Sequence, residues 1–88
     1  PSISPSAIAL YRGKKPQKWD GNIFVACLSG MHIRRLVLSD RKVVKEEELL
    51  KSLNYRFRNI RVGRDENLYF STDSGVIGRL ILAPHSGN

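Results

Sequence analysis

Eighty-eight residues allow one domain at most, and a chain this short buries only about 60% of its unfolded surface, so its fold is marginal without reinforcement. A single cysteine, Cys27, excludes an internal disulfide, and no Cys/His cluster has metal-ligand spacing, which leaves oligomerisation or membership of something larger. The formal net charge of +7 comes from 15 Lys/Arg against 8 Asp/Glu spread without a dense block, a pattern of solvated faces plus an anion-facing rim rather than a nucleic-acid tract.

Residues 1–5 form a Ser/Pro entry segment, and the chain starts at Pro1 without Met, basic n-region or apolar h-region, so it reads as an excised or processed piece. No stretch approaches the roughly 20 apolar residues of a membrane span. The first predicted strand covers about 6–12, from the apolar run Ala7-Ile8-Ala9-Leu10-Tyr11 to Gly13. Lys14-Lys15-Pro16-Gln17-Lys18 is a loop, because proline blocks a central strand and lysines seek water. After Trp19 and the turn Asp20-Gly21, residues 22–28 form a continuous apolar strand, as expected of one buried on both faces. Cys27 lies inside that run and reads as a buried hydrophobe. Ser29-Gly30 turns the chain into a strand over 32–38, and Ser39-Asp40 turns it again.

Residues 42–53, KVVKEEELLKSL, are two-sided. Leu49, Leu50 and Leu53 have helical spacing, and Glu47 with Lys51 is a favourable i,i+4 pair. By itself the segment predicts a helix. Its place after three strands argues instead for an outer strand over 42–46, then irregular chain with room for a helical turn near residues 46–50. Strands over 56–62, 67–72 and 76–82 follow, separated by Gly63 and by Asp73-Ser74-Gly75, and Pro84 and Gly87 end regular structure.

The chain repeats itself. DGNIFVACLSGMHIRRLVL (20–38) aligns with DENLYFSTDSGVIGRLIL (65–82) across a one-residue gap at His32, with eight identities in 18 pairs. A repeat of about 45 residues is the spacing of one four-stranded β-propeller blade. The expected fold is therefore all-β: two consecutive antiparallel four-stranded blade units, residues 1–54 and 55–88. The second lacks its outer strand, and the two form part of a propeller. A blade cannot bury its own faces, and the unpaired edge of the second unit invites another chain segment.

Four segments carry a family resemblance: SPSAIALYRG (4–13), WDGNIFVACL (19–28), HIRRLVL (32–38) and YRFRNIRVGRDENLYFSTDSGVIGRL (55–80). Together they resemble the C-terminal part of the soluble aldose sugar dehydrogenases, also called glucose/sorbosone dehydrogenases. These are six-bladed propellers that oxidise sugars with pyrroloquinoline quinone (PQQ) and calcium. The resemblance implies a periplasmic or secreted setting, although residues 1–88 carry no signal peptide. The family motif R-x-R-D, followed by G-P-D-G-x-L-Y, matches Arg56-Phe57-Arg58-Asn59 and Gly63-Arg64-Asp65-Glu66-Asn67-Leu68-Tyr69. It implies that Arg56 and Arg58 bind the carboxylates of PQQ, a role suited to planar, permanently charged guanidinium forks. Two apart on a strand, they point the same way.

The departures bear on activity. Ser29 stands where the family's S-L-K-G turn has a lysine, Asn59 replaces the aspartate after the arginine pair, and Glu66 replaces a glycine suited to positive φ. Residues 14–19 are a disturbed form of the family's F-P-x-W. The family's catalytic histidine and calcium ligands match nothing here. His32 and His85 read as solvent-facing or locally bonded, so the expectation is no catalytic residue, no metal ligand and no turnover by the isolated chain.

Three function classes follow. The first is the closing part of a sugar-oxidising propeller, partnered by its remaining blades. The second is a free-standing binding or structural module in which copies of the chain, for instance three in a ring, rebuild six blades. The third is a small basic β-domain that stacks single-stranded nucleic acid on Tyr11, Trp19, Tyr55, Phe57 and Tyr69. Strand positions place most of those rings in a core, which argues against it.

Overall fold

The computed structural model describes residues 4–14 and 17–82. Seven strands run through them: β1 (Pro5–Leu10), β2 (Ile23–Cys27), β3 (His32–Ser39), β4 (Lys42–Leu49), β5 (Phe57–Val62), β6 (Leu68–Thr72) and β7 (Ile77–Leu80). Short 3₁₀ turns occupy Gln17–Trp19 and Lys51–Leu53. The strands form two antiparallel meanders, one in the order β1-β2-β3-β4 and one in the order β5-β6-β7. The chain is all-β, and among the described residues the second sheet is one outer strand short of the first. No described helix is long and apolar enough to cross a membrane. The expectations for Lys15, Pro16, Pro84, His85 and Gly87 lie outside the described residues.

The repeat extends to register. β1 pairs with β2 through a shift between Pro5 and Ala7, and β5 pairs with β6 through a shift between Phe57 and Asn59. Ser6 and Arg58 are thus equivalent bulge residues, and a bulge re-aims the side chain it carries. The backbone closes the same way beside each bulge: Leu28 N–H donates to Ser4 O at 3.0 Å, and Asp73 N–H donates to Arg56 O at 3.0 Å.

The two sheets pack face to face. Phe24, Ala26 and Ile33 of the first meet Phe57, Ile60 and Leu68 of the second in one buried cluster completed by Tyr11 and Leu82. Alternation along β1 turns Ala7 and Ala9 toward this cluster and leaves Ile8 and Leu10 on the opposite face, 70% and 50% exposed. Polar contacts tie the ends of the sandwich. At one end the Ser6 hydroxyl reaches Ala26 O (3.1 Å) and Phe57 O (2.8 Å). At the other, Tyr11 OH donates to Glu66 O at 2.9 Å, and the Glu66 carboxylate accepts from Lys14 N–H at 2.6 Å. Glu66 holds φ +65° in the turn where a glycine would be unstrained, and these contacts compensate a backbone that L side chains rarely adopt.

Two expectations are narrowed. First, the outer strand from Lys42 is present but runs past residue 46. The segment 42–53 is strand through Leu49, and its helical spacing is overridden by cross-strand charge. Glu46, Glu47 and Glu48 lie opposite Leu36, Arg35 and Arg34. Arg34 bonds Glu46 at 2.9 Å and Glu48 at 3.4 Å, and Arg35 bonds Glu47 at 2.7 Å. Opposite charges on adjacent strands stabilise a sheet as i,i+4 pairs stabilise a helix. The turn before β4 is a two-residue hairpin with both Asp40 and Arg41 at positive φ, the geometry that suits strand twist. Second, of the two readings for His32, the locally bonded one holds and the solvent-facing one does not. Only 2% of the residue is exposed; Nδ1 donates to Gly30 O at 2.9 Å, and Nε2 accepts from Arg34 Nε at 3.3 Å. Cys27 is fully buried, and burial pushes its thiol up.

Candidate functional site

The end of the sandwich marked by Ser6 carries the two arginines singled out by the sequence. Phe57, fully buried between them, anchors the start of β5 against Phe70 and Tyr55, at centroid distances of 5.2 and 6.1 Å. With Phe57 facing inward, its neighbours Arg56 and Arg58 face out, their side chains 52% and 60% exposed. Both reach one carboxylate. Arg56 Nε donates to Asp73 Oδ2 at 3.1 Å, and Arg58 Nε donates to Asp73 Oδ1 at 2.5 Å. Asp73 sits in the β6–β7 turn, fixed by its own N–H on Arg56 O and by Gly75 N–H on Thr72 O at 3.1 Å. The hydrogen bonds from Arg56 and then Arg58 hold its carboxyl below the usual range.

Each guanidinium uses only its Nε–H on Asp73, so the terminal Nη groups are not engaged by any other described residue. A guanidinium offers five donors in a plane. The arrangement can therefore take a second, incoming carboxylate on the Nη side. Ser29 lies in the β2–β3 turn at this same end.

The remaining charged groups form separate structures. Arg35, 7% exposed, bonds Glu47 and Asn22 Oδ1 (2.7 Å) and lies 5.1 Å over the Trp19 ring. Asp65 accepts from Tyr69 OH at 2.6 Å and from Asn67, which lowers its pKa to about 2. A shallow depression of about 170 Å³ opens on the outer face of the second sheet between Asn59, Arg61, Tyr69 and Ile77, not at the arginine pair. Among the described residues no three His, Cys, Asp or Glu side chains come together as a metal site. Of the aromatic residues considered for base stacking, Tyr11 and Phe57 are fully buried, and Trp19 packs on Phe24.

Sequence reading missed Asp73, which it treated only as a turn residue. The available signal was the repeat: Asp73 aligns with Leu28, so a charge appears where the other unit has an apolar residue.

Comparison with known proteins agrees with this architecture. The glucose/sorbosone dehydrogenase family model matches residues 1–82. The aldose sugar dehydrogenase YliI of Escherichia coli is 26% identical over 85 residues, 97% of this chain and 23% of that protein. An uncharacterized protein of Synechocystis sp. is 34% identical over 73 residues, 83% of this chain and 18% of that protein. Among solved structures, a glucose dehydrogenase superposes with TM-score 0.88 at 33% identity, over 93% of this chain and 26% of that one. The apo-form of the soluble E. coli aldose sugar dehydrogenase superposes with TM-score 0.69 at 28% identity, over 83% and 21%. The chain thus spans about a quarter or less of the curated relatives it matches.

Proposed function

Since this chain belongs to the glucose/sorbosone dehydrogenase family, we propose that it forms two blades of a PQQ-dependent, sugar-oxidising propeller and contributes cofactor-carboxylate contacts through Arg56 and Arg58. The observation that carries the reading is the shared grip of both guanidinium groups on a single carboxylate through Nε, with no other described residue bonded to their Nη groups. That donor set fits a polycarboxylate cofactor, because charge-assisted bonds to carboxylates are shorter and stronger than neutral ones. When bound, PQQ supplies the two-electron acceptor for aldose oxidation. The role of these residues is to bind and orient its carboxylate end. Calcium and the catalytic base belong to other parts of such a propeller, and the isolated 88-residue chain is expected to be inactive toward aldoses.

The exposed face of the first sheet supports the blade assignment. In register, Leu10, Ile23 and Leu36 form one row, and Ile8 lies beside Val25. The repeat equates these residues with Ile60, Val62, Leu68, Phe70 and Leu80, a set drawn from the buried cluster and its packed neighbours. At its β1 edge, where Ile8 and Leu10 are exposed, the first sheet therefore presents to solvent apolar residues of the kind with which the second sheet docks. Another blade is its proposed occupant; copies of the chain in a three-membered ring would serve the same purpose. Light scattering separates the two, since a clean monomer removes the ring. The cofactor role is tested by equilibrium dialysis of PQQ against the chain and an Arg56→Gln/Arg58→Gln variant. Retention by the first and its loss in the second is expected, and equal retention by both would refute it.

A further inference from the structure

We infer that Asp73 is a positioning residue for a carboxylate ligand: it holds the two guanidinium groups side by side, Nε edges inward, so that their Nη edges form one ready-made cradle. This rests on the carboxylate-binding reading of Arg56 and Arg58 and adds to it a residue that touches no ligand.

The first support is geometric. Two like charges on neighbouring exposed side chains repel, and each long side chain left alone samples many rotamers. Asp73 removes both difficulties with one carboxylate, one oxygen to each Nε. Its backbone is tied to the same strand by the bond to Arg56 O, so the bridge is braced rather than incidental. The second support is the internal repeat. The register shift makes Ser6 the counterpart of Arg58, the shared backbone bond makes Ser4 the counterpart of Arg56, and the alignment makes Leu28 the counterpart of Asp73. The first unit builds the same bulge with Ser4, Ser6 and Leu28, although its β2–β3 turn is one residue longer. The charged triad is therefore not required by the blade, and its three members differ from the first unit together.

The sign of one substitution separates positioning from simple charge. Asp73→Asn removes a negative charge beside the anion site, and Coulomb attraction alone would then tighten anion binding. Loss of positioning weakens it, because the incoming ligand must order the arginines itself. The experiment titrates benzene-1,3,5-tricarboxylate into the ¹⁵N-labelled chain, its Asp73→Asn variant and the Arg56→Gln and Arg58→Gln variants, following arginine Nε–H resonances by NMR. The expected result is binding weakened on the order of tenfold by Asp73→Asn. In the wild-type chain the Nε–H resonances of Arg56 and Arg58 keep their Asp73-bonded positions at saturation. Equal or tighter binding by Asp73→Asn overturns the inference. So does collapse of those wild-type Nε–H resonances on titration, a readout that does not depend on the variant folding. If the two arginine variants weaken binding while Asp73→Asn does not, the carboxylate reading stands and the positioning role falls. If the wild-type chain does not bind the probe, the carboxylate reading itself falls.

Discussion

Phe57→Ala is the sharpest test that the two sheets share one core. Phe57 is fully buried, stacked edge-on against Phe70 at 5.2 Å and Tyr55 at 6.1 Å, and clustered with Phe24 and Ile33 of the other sheet. Burying a phenylalanine side chain stabilises by about 1.5–3 kcal/mol, and each well-oriented aromatic pair adds about 0.5–1.5 kcal/mol. Truncation also leaves a cavity, so the expected loss is about 3–5 kcal/mol. A chain of 88 residues has a total stability of only about 4–13 kcal/mol. The variant should therefore lose a large share of its stability, read as a fall in the urea midpoint at unchanged slope. Ile77→Ala is the internal control: Ile77 is 82% exposed, so its truncation should stay within about 0.5 kcal/mol. A Phe57→Ala cost below about 1 kcal/mol, or one equal to that of Ile77→Ala, would refute the shared core.

Two further outcomes follow. Glu47→Ala removes the carboxylate partner of Arg35, which is 7% exposed over Trp19; because Glu47 itself is 43% exposed, the full penalty of a buried pair is discounted to about 1–2 kcal/mol, measurable by the same denaturation. Asp65 and Asp73 both have folded pKa values below their ordinary ones, Asp65 at about 2. A depressed carboxylate stabilises above its unfolded pKa and loses that contribution as pH falls through the folded one. Stability should therefore decline between about pH 4 and pH 2, and Asp65→Asn should flatten that decline in acid titrations followed by circular dichroism.

The elements most legible in the sequence were those whose local pattern and pairing agree. Ile23–Cys27 reads as a strand because both its faces are covered, and the aligned 20–38 and 65–82 segments became two meanders of equivalent register. The segment 42–53 was harder, because Glu47 and Lys51 satisfy a helical rule locally, and only Arg34 and Arg35 on the adjacent strand decide for β4. His32, which fills the alignment gap, was legible only as solvent-facing or locally bonded; Gly30 O and Arg34 Nε satisfy its ring and let it be buried. At the candidate site the two arginines were visible through their spacing and the family resemblance. Asp73 was not, since it meets them across a turn some 15 residues away in sequence, a distance no periodicity reports.

The most direct test of the proposed cofactor role is to locate PQQ on the chain by titrating it into ¹⁵N-labelled protein. Shifts should concentrate at Arg56, Phe57, Arg58 and Asp73, leave Arg34 and Glu46–Glu48 of the first sheet unmoved, and vanish in the Arg56→Gln/Arg58→Gln variant. Shifts that bypass the arginine pair, or that persist undiminished in that variant, would contradict it.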